Sequence, residues 1–206
     1  FYFNDVNGSE APFIAYQPDG TFWVNDPGNY RTQHYNSNRT FIDRIMSLGA
    51  SYSVFADKNN VNKVFFGNLE FDIDYSQPLT GTTGWKLKKN WGANISLPAY
   101  GGLYYETTLS NGRTYGLIRK GYTLEVVEFA ANNQLRYTGI NIPTVTAVIC
   151  DDGSYQDFVQ IGSTYTFKRF PLIGFTGAGN PIWSPVPEVL ATALKDVTIG
   201  NAVVGP

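Results

Sequence analysis

The sequence predicts an all-β chain of about four antiparallel four-stranded units, each the size of a β-propeller blade. Three observations predict it. Short runs rich in β-branched and aromatic residues alternate apolar and polar positions along much of the 206 residues, the pattern of half-buried strands. Turn signals recur at Asp19-Gly20, Asn59-Asn60, Asn111-Gly112 and Asp152-Gly153, at intervals of 40, 52 and 41 residues. These residue types tolerate the positive φ of tight hairpins. Composition agrees: 16% aromatic residues with 21 glycines favours many short strands joined by tight turns.

In chain order, residues 1–10 open with an apolar triplet and break at Asn7-Gly8, as one strand able to complete a blade formed by the other end of the chain. Residues 11–51 form the first blade, 52–98 the second, 99–142 the third and 143–183 the fourth. Leu69, Phe71, Ile73 and Tyr75 alternate along one strand of the second blade, and the segment 123–129 is the most β-prone of all. Enlarged connections at 76–83 and 92–102 account for the longer second interval, and belong on the surface. Residues 184–206 are expected to be a tail or the start of a further blade. Within them 188–195 reads as two helical turns, because Val189, Ala193 and Leu194 do not alternate as a strand would.

The charge pattern narrows the partners. Charged residues make up 16% of the chain and balance to a net charge of -2, so no nucleic-acid footprint is expected. No apolar stretch reaches the roughly 18 residues of a membrane span. The single cysteine, Cys150, cannot form an internal disulfide. Sequons at Asn7, Asn38 and Asn94 fit an extracellular or cell-surface location. With no starting Met, the chain is expected to be a mature or excised piece of a larger polypeptide or propeller.

Between Asp19 and Gln33 the residues Asp19, Gly20, Trp23, Val24, Asp26, Gly28, Asn29, Arg31 and Gln33 follow in close order. This stretch resembles the NHL-repeat family of β-propellers, whose units carry an aspartate-glycine turn, an aromatic-valine strand, and then Asp, Gly, Asn, Arg and Gln. The resemblance implies a structural signature: Asp and Asn shape the loop between second and third strands, and the Arg ties neighbouring segments together. Downstream units keep the rhythm and lose the series, with Gly67-Asn68, Lys120-Gly121-Tyr122 and Gly162-Ser163 in its place.

In such a propeller the loops between second and third strands, and between blades, crowd one face. That places Tyr30, Trp91, Tyr100, Tyr122, Asp26 and Asn29 as candidate ligand-binding residues. Aromatic faces beside Asn and Asp suit a sugar or a peptide segment. The same rings can instead pack between blades. His34 is the only histidine, so a catalytic triad or a histidine zinc site would have to converge on one mid-strand residue. The metal-dependent lyase branch of the NHL-like propellers uses several metal-binding histidines. No cofactor is expected. Asp5, Asn7, Ser9 and Glu10 offer spaced oxygens for calcium but lack a distal bidentate Glu. Asp72 and Asp74 alternate on one strand face, as a carboxylate pair or a solvent face. Lys86, Lys88 and Lys89 are read as protection of an outer edge.

The expected function is therefore a non-catalytic extracellular binding or structural scaffold that recognises a glycan or protein. The alternatives are a carboxylate-based glycan hydrolase or lyase, and a lectin-like β-sandwich. They differ in one demand: an enzyme needs two carboxylates converging at catalytic separation.

Overall fold

The computed structural model describes residues 14–26, 29, 31–46, 54–57, 59–81, 83–92 and 103–194. Residues 1–10 and the part of 184–206 beyond 194 lie outside these. The chain is all-β and is built of four antiparallel four-stranded propeller blades. It divides into two compact units, one formed by Phe1–Tyr104 with Ala131–Leu135, the other by Tyr105–Ala130 with Arg136–Pro206.

In the first unit, β1 (Ile14–Tyr16), β2 (Phe22–Asp26), β3 (Arg31–Tyr35) and β4 (Phe41–Met46) form one meander. The next comprises β5 (Val54–Ala56), β6 (Lys63–Phe66), β7 (Leu69–Ile73) and β8 (Trp85–Asn90). Period-two alternation sends Ala15, Trp23 and Ile45 from the first sheet, and Val54, Ala56, Val64, Phe66, Phe71 and Ile73 from the second, into one core. Trp23, Val64 and Phe65 are fully buried.

The third blade consists of β9 (Leu103–Thr108), β10 (Thr114–Lys120), β11 (Thr123–Phe129) and β12 (Leu135–Ile142). Consecutive positions of β10 and β11 are buried, so these central strands are covered on both faces and read as continuous apolar runs. The fourth blade follows the order β13 (Val148–Ile149), β14 (Tyr155–Ile161), β15 (Thr164–Phe170) and β18 (Glu188–Leu194). Between β15 and β18 the chain detours through a separate hairpin, β16 (Leu172–Phe175) and β17 (Pro181–Trp183).

One expectation is corrected here, and β16 is not the fourth strand of this blade, since it pairs with β17 instead. Residues 188–194 are that strand rather than helical turns, pairing with β15 from Thr164↔Leu194 to Arg169↔Glu188 around a bulge. The detour is fixed by its tip: Arg113 donates to the Ala178 carbonyl at 2.8 Å, Tyr115 to the Gly179 carbonyl at 2.5 Å, and Arg136 to Asn180 at 2.7 Å.

The repeat seen in the sequence reappears as shared turn geometry. In the first, third and fourth blades, the amide of Gln17, Leu109 or Cys150 donates to the carbonyl of Thr21, Arg113 or Ser154, while Gly20, Gly112 or Gly153 donates back. These glycines lie at φ of +83°, +76° and +82°, a region open to glycine at little cost. In each case the Asp or Asn before the glycine accepts the amide two residues on: Asp19 from Thr21, Asn111 from Arg113, Asp152 from Ser154. The second blade widens the same turn, closing it from Asp57 to Lys63 with Asn60 accepting from Asn62.

Candidate binding site

The connections between second and third strands are short hairpins with a common build. In the second, third and fourth blades the ladder closes at Phe66↔Leu69, Lys120↔Thr123 and Ile161↔Thr164. Each leaves a two-residue tip: Gly67-Asn68, Gly121-Tyr122, Gly162-Ser163. Each glycine has φ between +60° and +63°, the requirement of a II′ hairpin at its first central position. The glycine is the constant half of the tip and its neighbour is free to vary.

The variable residues differ in what they are free to do. Asn68 spends its amide on the Asn90 side chain at 2.8 Å and the Trp91 carbonyl at 2.9 Å. Tyr122 is 89% exposed. It stands on a buried hairpin, where Leu117, Ile118, Leu124 and Val126 are each at most 3% exposed. Its neighbours are cationic: Arg119 folds back on the Gly121 carbonyl at 3.2 Å, and Lys120 reaches the buried Glu125 at 3.4 Å. A rigidly mounted ring with two cations beside it can stack on an apolar face and bind carboxylate or hydroxyl oxygens.

The first blade uses a longer loop held by Asp26. Its carboxylate is 1% exposed, and it accepts from Arg31 Nε at 2.9 Å and from the Asn29 amide at 3.0 and 3.1 Å. Asp26, a candidate ligand-binding residue, has its oxygens bound inside the loop, while Asn29 is exposed. Asp26→Ala is expected to lower stability by about 2 kcal/mol, because a largely buried guanidinium loses its buried partner. Urea unfolding measures that loss.

Trp91, another candidate, is enclosed in the same way. It is 7% exposed rather than displayed, with its indole N–H on Glu70 Oε2 at 2.7 Å and Lys89 over the ring at 4.8 Å. Tyr30 and Tyr100 lie outside the described residues, as do Asp5, Asn7, Ser9 and Glu10. Asp72 and Asp74 do not act as a pair: Asp72 meets Lys88 at 2.9 Å, and Asp74 accepts from the hydroxyl and amide of Ser76. Among the described residues no cluster of three or more His, Cys, Asp or Glu is grouped to hold a metal ion.

His34 sits in the core. Gln17, itself 5% exposed, organises it. Trp23 Nε1 approaches the Gln17 side-chain oxygen at 3.0 Å; an indole N–H only donates, so that atom must be the oxygen. His34 Nε2 meets the same oxygen at 3.0 Å and therefore carries the proton. Nδ1 is left as a buried acceptor without a hydrogen-bond partner among the described residues. The imidazole is stacked between Trp23 at 4.4 Å and Tyr75 at 5.1 Å. Burial lowers its pKa to about 4, against the opposing pull of Asp19 and Asp43, and burial likewise raises the Tyr75 hydroxyl to about 12. This is a neutral structural histidine, not a catalytic base.

Two further features are smaller than they look. A row of rings crosses the first blade, Tyr16, Phe22, Tyr35 and Phe41, with successive centroids 5.3 to 5.9 Å apart. Phe22 and Tyr35 stack on each other at 11°, so their faces are spent on each other as cross-strand pairs. A cleft on the fourth blade, lined by Thr146, Asp157, Phe158, Phe167, Lys168 and Leu190, has about 20 Å³ of free volume, room for one water. Sequence reasoning had no signal for either, because each depends on side chains from several strands.

These elements define a β-propeller with hairpin tips as its accessible chemistry. No protein-family model matches the chain, and no curated protein matches it. Solved structures similar in shape include an inactive virginiamycin B lyase from Staphylococcus aureus with quinupristin, at 13% identity and TM-score 0.49, over 90% of this chain and 59% of that one. The Myceliophteria thermophila Cps50 (Swd1) β-propeller domain matches at 10% identity and TM-score 0.47, over 88% and 59%. A luciferin-regenerating enzyme matches at 8% identity and TM-score 0.48, over 88% and 60%. The chain thus spans about three fifths of the length of these structures.

Proposed function

We propose that this chain is a propeller-type binding module of an extracellular or cell-surface protein, and that it recognises a glycan or protein ligand through its hairpin tips. The observation that carries this reading is Tyr122, 89% exposed on a hairpin whose flanking strands are buried. An aromatic ring held out by a rigid support loses little entropy on binding, which is how exposed tyrosines earn affinity. Arg119 and Lys120 favour a ligand with carboxylates, such as an acidic glycan or an acidic peptide segment. The compact tie of Asp26, Asn29 and Arg31 supports reading the first blade as an NHL-like repeat, and the exposed sequon at Asn38 supports the location.

A glycan and peptide array probed with the chain and with Tyr122→Ala tests this. Tyr122 is expected to dominate: its removal should weaken the strongest signals about tenfold or more, since hot-spot aromatics contribute 2 kcal/mol or more. Binding that ignores Tyr122→Ala, or no binding above background, removes the proposal.

A further inference from the structure

The turn between β3 and β4 holds the only sequon that falls among the described residues, Asn38-Arg39-Thr40. All three residues are exposed, as is Ser37 before them. The turn closes with the Asn36 amide on the Thr40 carbonyl at 3.0 Å and the Arg39 amide on the Asn36 carbonyl at 2.9 Å. Arg39 takes φ +70°, a left-handed conformation disfavoured for an L-residue. That kink brings Thr40 back onto Asn38, whose side chain accepts from the Thr40 amide at 3.1 Å and from the Thr40 hydroxyl at 2.7 Å. A backbone N–H only donates, so the atom facing it is the oxygen and Nδ2 lies on the far side of the amide. Asn38 Nδ2 makes no hydrogen bond among the described residues. Other loop asparagines spend theirs: Asn29 on Asp26, Asn62 on the Ile73 carbonyl, Asn68 on Asn90 and Asn111 on Tyr115.

We infer that Asn38 is an acceptor for an N-linked glycan, an inference that rests on the proposed extracellular location. The sequon alone is a short pattern. The structure adds an amide held by its own threonine at an exposed tip with its nitrogen unspent, so a bulky sugar can be carried there without the loss of a fold contact. In the transfer, Nδ2 bonds to C1 of the reducing-end sugar of a lipid-linked oligosaccharide diphosphate, and the C1–O bond to the diphosphate breaks. Nδ2 releases one proton, the lipid diphosphate leaves with the electron pair, and nothing is oxidised or reduced.

Secretion of the whole chain from a eukaryotic host, followed by site-resolved mass spectrometry, tests the inference. The peptide containing Asn38 is expected to carry a hexose and N-acetylhexosamine mass in most molecules, and peptide N-glycosidase should remove it and convert Asn38 to the acid. Asn38→Gln and Thr40→Ala should abolish the modification, while Thr40→Ser, which keeps the hydroxyl, should retain it. The glycosylated chain and Asn38→Gln should unfold at the same urea midpoint. A bare Asn38 in folded, secreted protein overturns the inference, and so does a lowered midpoint in the glycosylated chain. Because the host imposes the secretory route, those results concern the site alone. The location reading fails differently: the site is modified in the host and bare in the chain from its natural source.

Discussion

Trp23→Ala is expected to lower stability by about 3–5 kcal/mol, read as a shift in the urea midpoint with little change in slope. The indole is fully buried, packs edge-on against Phe66 at 6.0 Å and stacks on His34 at 4.4 Å. Truncation therefore opens a large cavity between the first two blades of one compact unit. It also removes one of the N–H donors on the Gln17 oxygen. With typical domain stabilities of about 5–15 kcal/mol, this substitution approaches the whole margin. A loss under about 1 kcal/mol would mean that these sheets do not share the core described.

Acidification is expected to destabilise the same region by up to about 3 kcal/mol between pH 7 and pH 4. His34 has its pKa lowered from 6.5 to about 4 in the folded chain, so the unfolded chain takes the proton first. The stabilisation is present in full above pH 6.5 and disappears as the pH falls to about 4. Burial between Trp23 and Tyr75 is the cause, since it strips water from the charged form of the ring and outweighs the pull of Asp19 and Asp43. Urea melts at pH 7 and 4.5 measure the loss, and His34→Phe, which keeps a ring in the slot, should flatten it. An unchanged acid limb in that variant would assign the pH dependence to other groups.

The blades were legible because their signals are local. Asp19-Gly20, Asn111-Gly112 and Asp152-Gly153 each form the same closed turn, and an Asp or Asn side chain needs only its own neighbours to do so. The Gly-X tips were visible for the same reason, as were the lysines on β8. The candidate site was less legible. Asp26 and Trp91 looked available in sequence, yet Asp26 is enclosed by Asn29 and Arg31, and Trp91 by Glu70 and Lys89. Polar partners of this kind neutralise a promising side chain without leaving a periodic trace.

Residues 188–194 mark the boundary most clearly. Alanine and leucine favour helix locally, with only the β-branched Val189 and Thr192 arguing the other way. Its strand state comes from β15, whose partners lie far upstream in the sequence and whose ladder hydrogen bonds outweigh the propensity. The amino-acid sequence by itself determined the number of blades, their turns and their low, balanced charge, since each depends on residues adjacent in the chain. Only the tertiary structure decided which aromatics are displayed and which are spent in the core, because burial is set by neighbours that the chain brings together from afar. It left Tyr122 outside and drew Asp26 and Trp91 in.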